Sequence, residues 1–152
     1  MSIEVLLAER EIHRALVRFA RAMDERDWPA LDAILLEDAS AELGTGPLLG
    51  RAAIVAQMRS FLDDCGPTQH LLGNLLVDVD GDTARSRVYV SDVHKGRGEK
   101  AHLTFSTLGD YHDRWRRVDG AWRIAHRTKH SRALLGDIAV LGPGPPGWSP
   151  AR

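Results

Sequence analysis

A chain of 152 residues and 16.8 kDa suits one domain, because a core of this size buries roughly 70% of the surface that its unfolded chain exposes. Hydrophobic residues at 43% and charged residues at 27% exclude a disordered chain, and 20 basic against 21 acidic side chains leave a formal charge of −1, too little to gather nucleic acid or an anionic membrane. A single cysteine, Cys65, excludes an intramolecular disulfide and a cysteine-cluster metal site, and it fits a cytoplasmic protein in a reducing compartment.

From Ile3 to about Glu25, apolar residues at Leu6, Ile12, Leu16, Phe19, Ala20 and Met23 recur at three- and four-residue spacing, which predicts an amphipathic helix with Ser2 as its N-cap. Acids interrupt this apolar stretch and no basic segment precedes it, so a secretory signal is not expected; nor does the chain hold a run of about 18 apolar residues for a membrane helix. A shorter helix is predicted from Pro29 to Leu36, then a short strand from Ala39 to Leu43 ended by the turn formers Gly44-Thr45-Gly46-Pro47. A third helix follows from Arg51 to Leu62.

Beyond Thr68 the period becomes that of strands. Gln69 to Val79 and Ala84 to Val93 flank the hairpin signal Asp80-Gly81-Asp82. A long strand from Lys100 to Val118 and a last one from Ala121 to about His130 join through Asp119-Gly120. Helices gathered before a run of hairpins make an α+β domain, with helices covering one face of an antiparallel sheet. We place that domain over residues 1–133 and a Pro/Gly-rich tail over residues 134–152, whose segment from Gly142 onward is expected to be extended or disordered.

Four local stretches resemble the SnoaL-like branch of the nuclear transport factor 2-like superfamily. They are Phe19-Ala20-Arg21-Ala22-Met23-Asp24-Glu25-Arg26-Asp27-Trp28, Gly50-Arg51-Ala52-Ala53-Ile54, Thr68-Gln69-His70-Leu71-Leu72-Gly73-Asn74 and Asp119-Gly120-Ala121-Trp122-Arg123-Ile124. The resemblance runs from about Ile3 to Ser131 and implies a conical α+β barrel, a curved antiparallel sheet closed by the N-terminal helix and two further helices. It also implies a pocket for a small molecule and assembly into a homodimer or homotrimer through the sheet.

Lyases of this superfamily, scytalone dehydratase and hexachlorocyclohexane dehydrochlorinase among them, pair an Asp at the end of the first helix with a His early in the sheet. Asp24 and His70 are similar in position. A carboxylate on one ring nitrogen fixes the tautomer and steadies the imidazolium once the other nitrogen takes a proton. Some members add a second histidine; His102 takes that part or lies on a solvated sheet face, in alternation with Thr104, Ser106, Leu108, Asp110 and His112. Dehydratases of the group use tyrosines to polarise a carbonyl, whereas Phe19 has no hydroxyl to offer; Tyr89 and Tyr111 are the only phenols. Among the arginines of the last two strands, Arg127 is the candidate for holding a polar group of the substrate, and Phe19, Tyr89 and Tyr111 are the other candidate contacts.

His13 sits on or beside the apolar stripe, as a core or interface residue ahead of one that enters the pocket. His126 and His130 stand four apart on a predicted strand, some 13 Å from each other and too far to share one zinc, so no metal is expected. No dinucleotide loop, Walker A run or GxSxG elbow occurs, and no cofactor is expected. The resulting expectation is a cofactor-independent lyase or isomerase that abstracts a proton from a small, mostly apolar, cyclic or polyketide-like compound. The alternative is a non-catalytic ligand-binding or accessory oligomerisation domain on the same scaffold.

Overall fold

The first apolar stripe forms helix α1 over Ile3–Glu25 of the computed structural model, which describes residues 1–150. The Ser2 hydroxyl accepts from the Val5 N–H at 3.3 Å, satisfying a donor that the first turn leaves free. Ile12, Leu16, Phe19 and Met23 are buried along one face, whereas His13 is exposed, which removes it from both the core and the pocket. The helix ends where Arg26 adopts a left-handed conformation, φ 56°, and its N–H returns to the carbonyls of Ala22 and Met23.

The predicted second helix is replaced by a short 3₁₀ helix over Trp28–Ala33, after which strand β1 already begins and runs over Leu35–Glu42. An apolar run as short as Ile34-Leu35-Leu36 reads equally well as buried helix or buried strand. Tertiary pairing decides it, because Leu35 lies opposite Ile124 of the last strand. Strand β2, Pro47–Leu49, was not anticipated from its turn-like sequence; it pairs with β1 at the edge of the sheet, where a proline costs no ladder bond. Helix α2 spans Arg51–Leu62 as its periodicity predicts.

Strands β3, Thr68–Asp80, and β4, Thr83–Lys95, form the hairpin around Gly81, and β5, Thr104–Val118, and β6, Ala121–Gly136, form the next. The third long strand starts at Thr104 rather than Lys100, because Gly98–Lys100 closes a 3₁₀ turn that continues through Ala101 and His102. The last strand runs to Gly136, beyond the expected end near His130.

The six strands lie in the order β2-β1-β6-β5-β4-β3. All pairings are antiparallel except β1 with β6, so the sheet is mixed. Register shifts between Gly73 and Leu76, Leu108 and Gly109, and Arg114 and Trp115 insert bulges, which bend strands and deepen the curl of the sheet. The α+β cone so formed is curved but open, with β2 and β3 as its edges. α1 packs across β3 and β6, and the inner face of the sheet meets it with Val88, Val90, Phe105, Tyr111, Trp115 and Ile124.

On β5 the inward face is Phe105, Thr107, Gly109, Tyr111, Asp113 and Trp115. The alternating set Thr104, Ser106, Leu108, Asp110 and His112 points outward. Thr107 and Asp113, polar yet turned inward, are satisfied by buried partners.

After β6 the chain returns to α2. The Gly142 N–H donates to Phe61 O at 2.8 Å, the Gly144 N–H to Ser60 O at 3.3 Å, and the Trp148 ring stands edge-on to Phe61 with centroids 4.8 Å apart. Residues 142–150 thus form no helix or strand but are held by packing; Ala151 and Arg152, part of the same expected tail, lie outside the described residues.

Candidate active site

Two elements far apart in sequence meet where the exit of α1 packs on the start of β3. Asp24 leaves the last turn of α1 and His70 enters early in β3; the carboxylate Oδ1 lies 2.6 Å from the ring Nδ1. The other carboxylate oxygen, Oδ2, accepts from the His70 backbone N–H at 3.0 Å, and the Thr68 hydroxyl donates to Oδ1 at 2.9 Å. With Nδ1 facing a carboxylate, the proton sits on that nitrogen and Nε2 carries the free lone pair. Burial opposes ionisation of Asp24, yet hydrogen bonds from the His70 ring and backbone, the charge of His70 and the Thr68 hydroxyl together hold its carboxyl below the usual range.

Arg26 braces this junction. Its Nε donates to Leu62 O at 2.9 Å, Nη2 to Gly66 O at 3.0 Å, and Nη1 to Met23 O at 2.7 Å and to Thr68 Oγ1 at 2.9 Å. One guanidinium therefore ties the exit of α1, the end of α2 and the start of β3 around the carboxylate.

Beyond the pair lies a cavity of about 270 Å³. Its walls are mostly apolar, with Phe19, Met23, Ile54, Phe105 and Tyr111 on the inside and Trp148 of the C-terminal segment at its rim; Arg127 and Lys129 of β6 also face it. Arg127 is 3% exposed and makes a two-pronged pair with Asp113, both contacts at 2.8 Å. The Phe19 and Tyr111 rings lie 4.2 and 4.0 Å from its guanidinium carbon. Phe19 thus supplies a face for a cation where a tyrosine would supply a hydroxyl. Burial raises the Tyr111 phenol above its ordinary value, so it stays neutral.

The second histidine at the pair is His94, not His102. His102 occupies the exposed turn ahead of β5. His94, two residues from Asp92 on the inward face of β4, sets its ring edge-on to His70 with centroids 5.4 Å apart. Its Nδ1 lies 3.1 Å from Phe105 O, which fixes the proton there and turns the Nε2 lone pair outward. Burial lowers the His94 pKa despite the pull of Asp92, and the ring is neutral. Tyr89 is likewise away from the cavity: it is 44% exposed on the outer face, with Arg132 over its ring.

Asp92 is fully buried, and sequence reading overlooked it together with His94 and Lys129. Its Oδ1 accepts from the Thr107 N–H at 2.7 Å, and its Oδ2 takes the Thr107 hydroxyl at 2.5 Å and the Lys129 ammonium at 3.2 Å. The signal was in the parity of β4: Asp92 and His94 continue the inward alternation of Ala84, Ser86, Val88 and Val90. One ligand atom each from His70, Asp92 and His94 lie within 4.8 Å of one another, a spacing that could accept a metal ion. The Lys129 ammonium already neutralises Asp92 from that side, and Nδ1 of His70 is committed to Asp24, so these donors fit a hydrogen-bonded cluster better than a cation cage. His126 and His130 take no part: His126 Nδ1 meets the Ser40 hydroxyl at 2.6 Å, and the His130 ring packs on His112.

An open α+β cone is the architecture of the nuclear transport factor 2-like proteins. Residues 4–128 match the SnoaL-like domain family, and the chain belongs to that family. The uncharacterized protein Rv2910c of Mycobacterium tuberculosis is 32% identical over 131 residues, which are 85% of this chain and 88% of that one. Among solved structures, an NTF2-like protein with a cystatin-like fold from Novosphingobium aromaticivorans is 26% identical, with a TM-score of 0.71 over 86% of this chain and 85% of that one. The hexachlorocyclohexane dehydrochlorinase LinA-type3 from Novosphingobium barchaimii shares the fold at 17% identity, with a TM-score of 0.78 over 95% of this chain and 99% of that one. Among the described residues, no helix is long and apolar enough to cross a membrane.

Proposed function

We propose that the protein is a cofactor-independent lyase or isomerase in which His70 takes a proton from carbon, Asp24 holds and charge-balances the ring, and Arg127 orients a polar group of a small, mostly apolar, cyclic or polyketide-like compound. The observation that carries this reading is the 2.6 Å contact between Asp24 Oδ1 and His70 Nδ1 at the wall of an apolar cavity. A base needs its lone pair aimed at substrate and its other nitrogen anchored, and low-dielectric walls strengthen the ion pair formed after transfer. His94 complements it, since its Nε2 lone pair accepts from a substrate hydroxyl.

A fold neighbour that is a hexachlorocyclohexane dehydrochlorinase supports the enzyme class. The lone, buried thiol of Cys65 supports a cytoplasmic setting. The test is turnover of a panel of chlorinated cyclohexanes and β-hydroxy cyclic ketones, followed by mass spectrometry for loss of hydrogen chloride or water. On any compound turned over, His70→Asn should lower kcat/KM by about 10²–10⁴-fold with the circular dichroism spectrum unchanged. Unaltered rates in that variant would sink the assignment.

One observation favours assembly through the sheet as an accompanying role. Leu71, Leu76, Tyr89, Val93, Leu108 and Leu135 are all more than 40% exposed on the outward side of the long strands, apolar side chains that a second copy would cover. We read that surface as the contact of a homodimer or homotrimer. Light scattering should give two or three times the chain mass, and Leu108→Lys should return the monomer.

A further inference from the structure

We propose that Lys129 holds the oxygen on which negative charge develops, and that the substrate is therefore an apolar carbonyl compound with an acidic C–H beside the carbonyl. This assignment rests on the reading of His70 as the base and names what that base acts on.

Lys129 is placed by three neighbouring strands. It reaches from β6 across β5 to Asp92 on β4, with its ammonium 3.2 Å from Asp92 Oδ2 and 3.1 Å from Thr107 Oγ1. Gly109 makes the crossing possible: a Cβ there would sit 3.1 Å from Lys129 Cε and 2.9 Å from Val90 Cγ1. An ammonium has three donors, two are used, and the side chain remains 19% exposed where it faces the cavity.

Packing alone does not explain this arrangement. Burying a carboxylate and an ammonium costs desolvation that their attraction roughly repays, and apolar residues of similar volume usually serve stability as well or better. Asp92, moreover, already takes the N–H and hydroxyl of Thr107. What the pair supplies is an ammonium donor held in a fixed place at the edge of the cluster that contains His70. Arg127, the other cation of the cavity, is bound on two nitrogens to Asp113 and enclosed by Phe19 and Tyr111.

Three charges of each sign balance around the cavity once His70 is protonated: Asp24, Asp92 and Asp113 against Arg127, Lys129 and His70. An enolate formed in the same step brings one further negative charge, and the uncommitted third N–H of Lys129, beside the cluster that holds His70, meets it. In that step the C–H bond next to the carbonyl breaks, its proton passes to His70 Nε2, and the electron pair moves onto the carbonyl oxygen beside Lys129. Return of the proton to another carbon completes an isomerisation; departure of a β-substituent with its bonding pair, as the carbonyl re-forms, completes an elimination. A neutral substrate suits a site whose resting charge is not positive, and a cavity of about 270 Å³ suits one or two rings.

Two probes separate this assignment from the His70 reading. 4-Nitrophenol mimics an enolate when ionised and reports its charge by absorbance. Bound to the wild type, its pKa should fall by about 1–3 units. The shift should vanish in Lys129→Met and in the double variant Asp92→Asn/Lys129→Met, which leaves no buried charge unpaired, and should survive in His70→Asn. Absence of a shift in the wild type, its persistence in both Lys129 variants, or its loss only in His70→Asn overturns the assignment. The second probe, 2-tetralone in D₂O followed by NMR, reports exchange next to the carbonyl, which Lys129→Met should slow by roughly a hundredfold. Exchange unchanged in Lys129→Met overturns the role of Lys129 and leaves His70 standing. A wild type that ionises the phenol through Lys129 but exchanges nothing counts against His70 and supports Lys129 as the oxyanion site.

Discussion

Arg26 shows how much one side chain can carry at a junction of three elements. It was visible in the sequence only as one charge among Asp24, Glu25 and Asp27 at a helix end; its partners, the carbonyls of Leu62 and Gly66 and the Thr68 hydroxyl, lie 36 to 42 positions downstream. Replacing it by Ala leaves those carbonyls and the Thr68 hydroxyl short of a donor. We expect Arg26→Ala to lower stability by about 2–3 kcal/mol, read from urea denaturation. The same change should free the His70 ring, so that ¹⁵N NMR finds the two tautomers mixed where the wild type holds the proton on Nδ1. Lys at this position should restore little, since an ammonium lacks the fork that reaches three elements.

At the scale of elements, periodicity was a good guide wherever an element buries one face only. α1, α2 and the β3–β4 hairpin appear where spacing placed them, within a few residues. It was a poor guide at Ile34-Leu35-Leu36, a run whose conformation is decided by a partner strand, and at Pro47–Leu49, where the turn chemistry of a proline hides an edge strand. His102 was misplaced for a related reason. The apolar and polar residues from Lys100 to Leu103 fit a strand, but the Gly98–Lys100 turn takes them out of the ladder, and the ring ends in solvent. His94, one residue past the strand expected to end at Val93, lies beside His70 instead.

Over the whole molecule, acid should be the effective destabiliser. Asp24 and Asp92 are held below the ordinary carboxylate value of 3.8, Asp24 by His70 and Thr68 and Asp92 by Lys129 and Thr107, each against the opposing effect of burial. Their contribution is in place above 3.8 and is lost as pH falls through their lower folded values. His94, surrounded by Asp92, His70 and Lys129, is pushed below 6.5 mainly by burial, so the unfolded chain takes its proton first and stability declines as pH drops under 6.5. All three act in one direction. Urea midpoints should therefore fall in two stages on acidification, and His94→Gln should flatten the upper stage between about pH 7 and 5 while leaving the lower one. A midpoint that rises on acidification would contradict the buried, neutral state of His94.

Composition and spacing were enough to determine one α+β domain, its long first helix and its hairpins, because local pattern and burial of a single face are written within short windows of chain; Asp24 and His70, on which the proposed chemistry turns, stood out only through the resemblance to superfamily lyases. Which face of β5 turns inward, which histidine joins the pair, and that Asp92, Thr107 and Lys129 meet across three strands were decided only by the tertiary structure. The reason is physical: register across a sheet and the bend introduced by each bulge depend on pairings between residues tens of positions apart, and a shift of one residue sends every side chain of a strand to the opposite face.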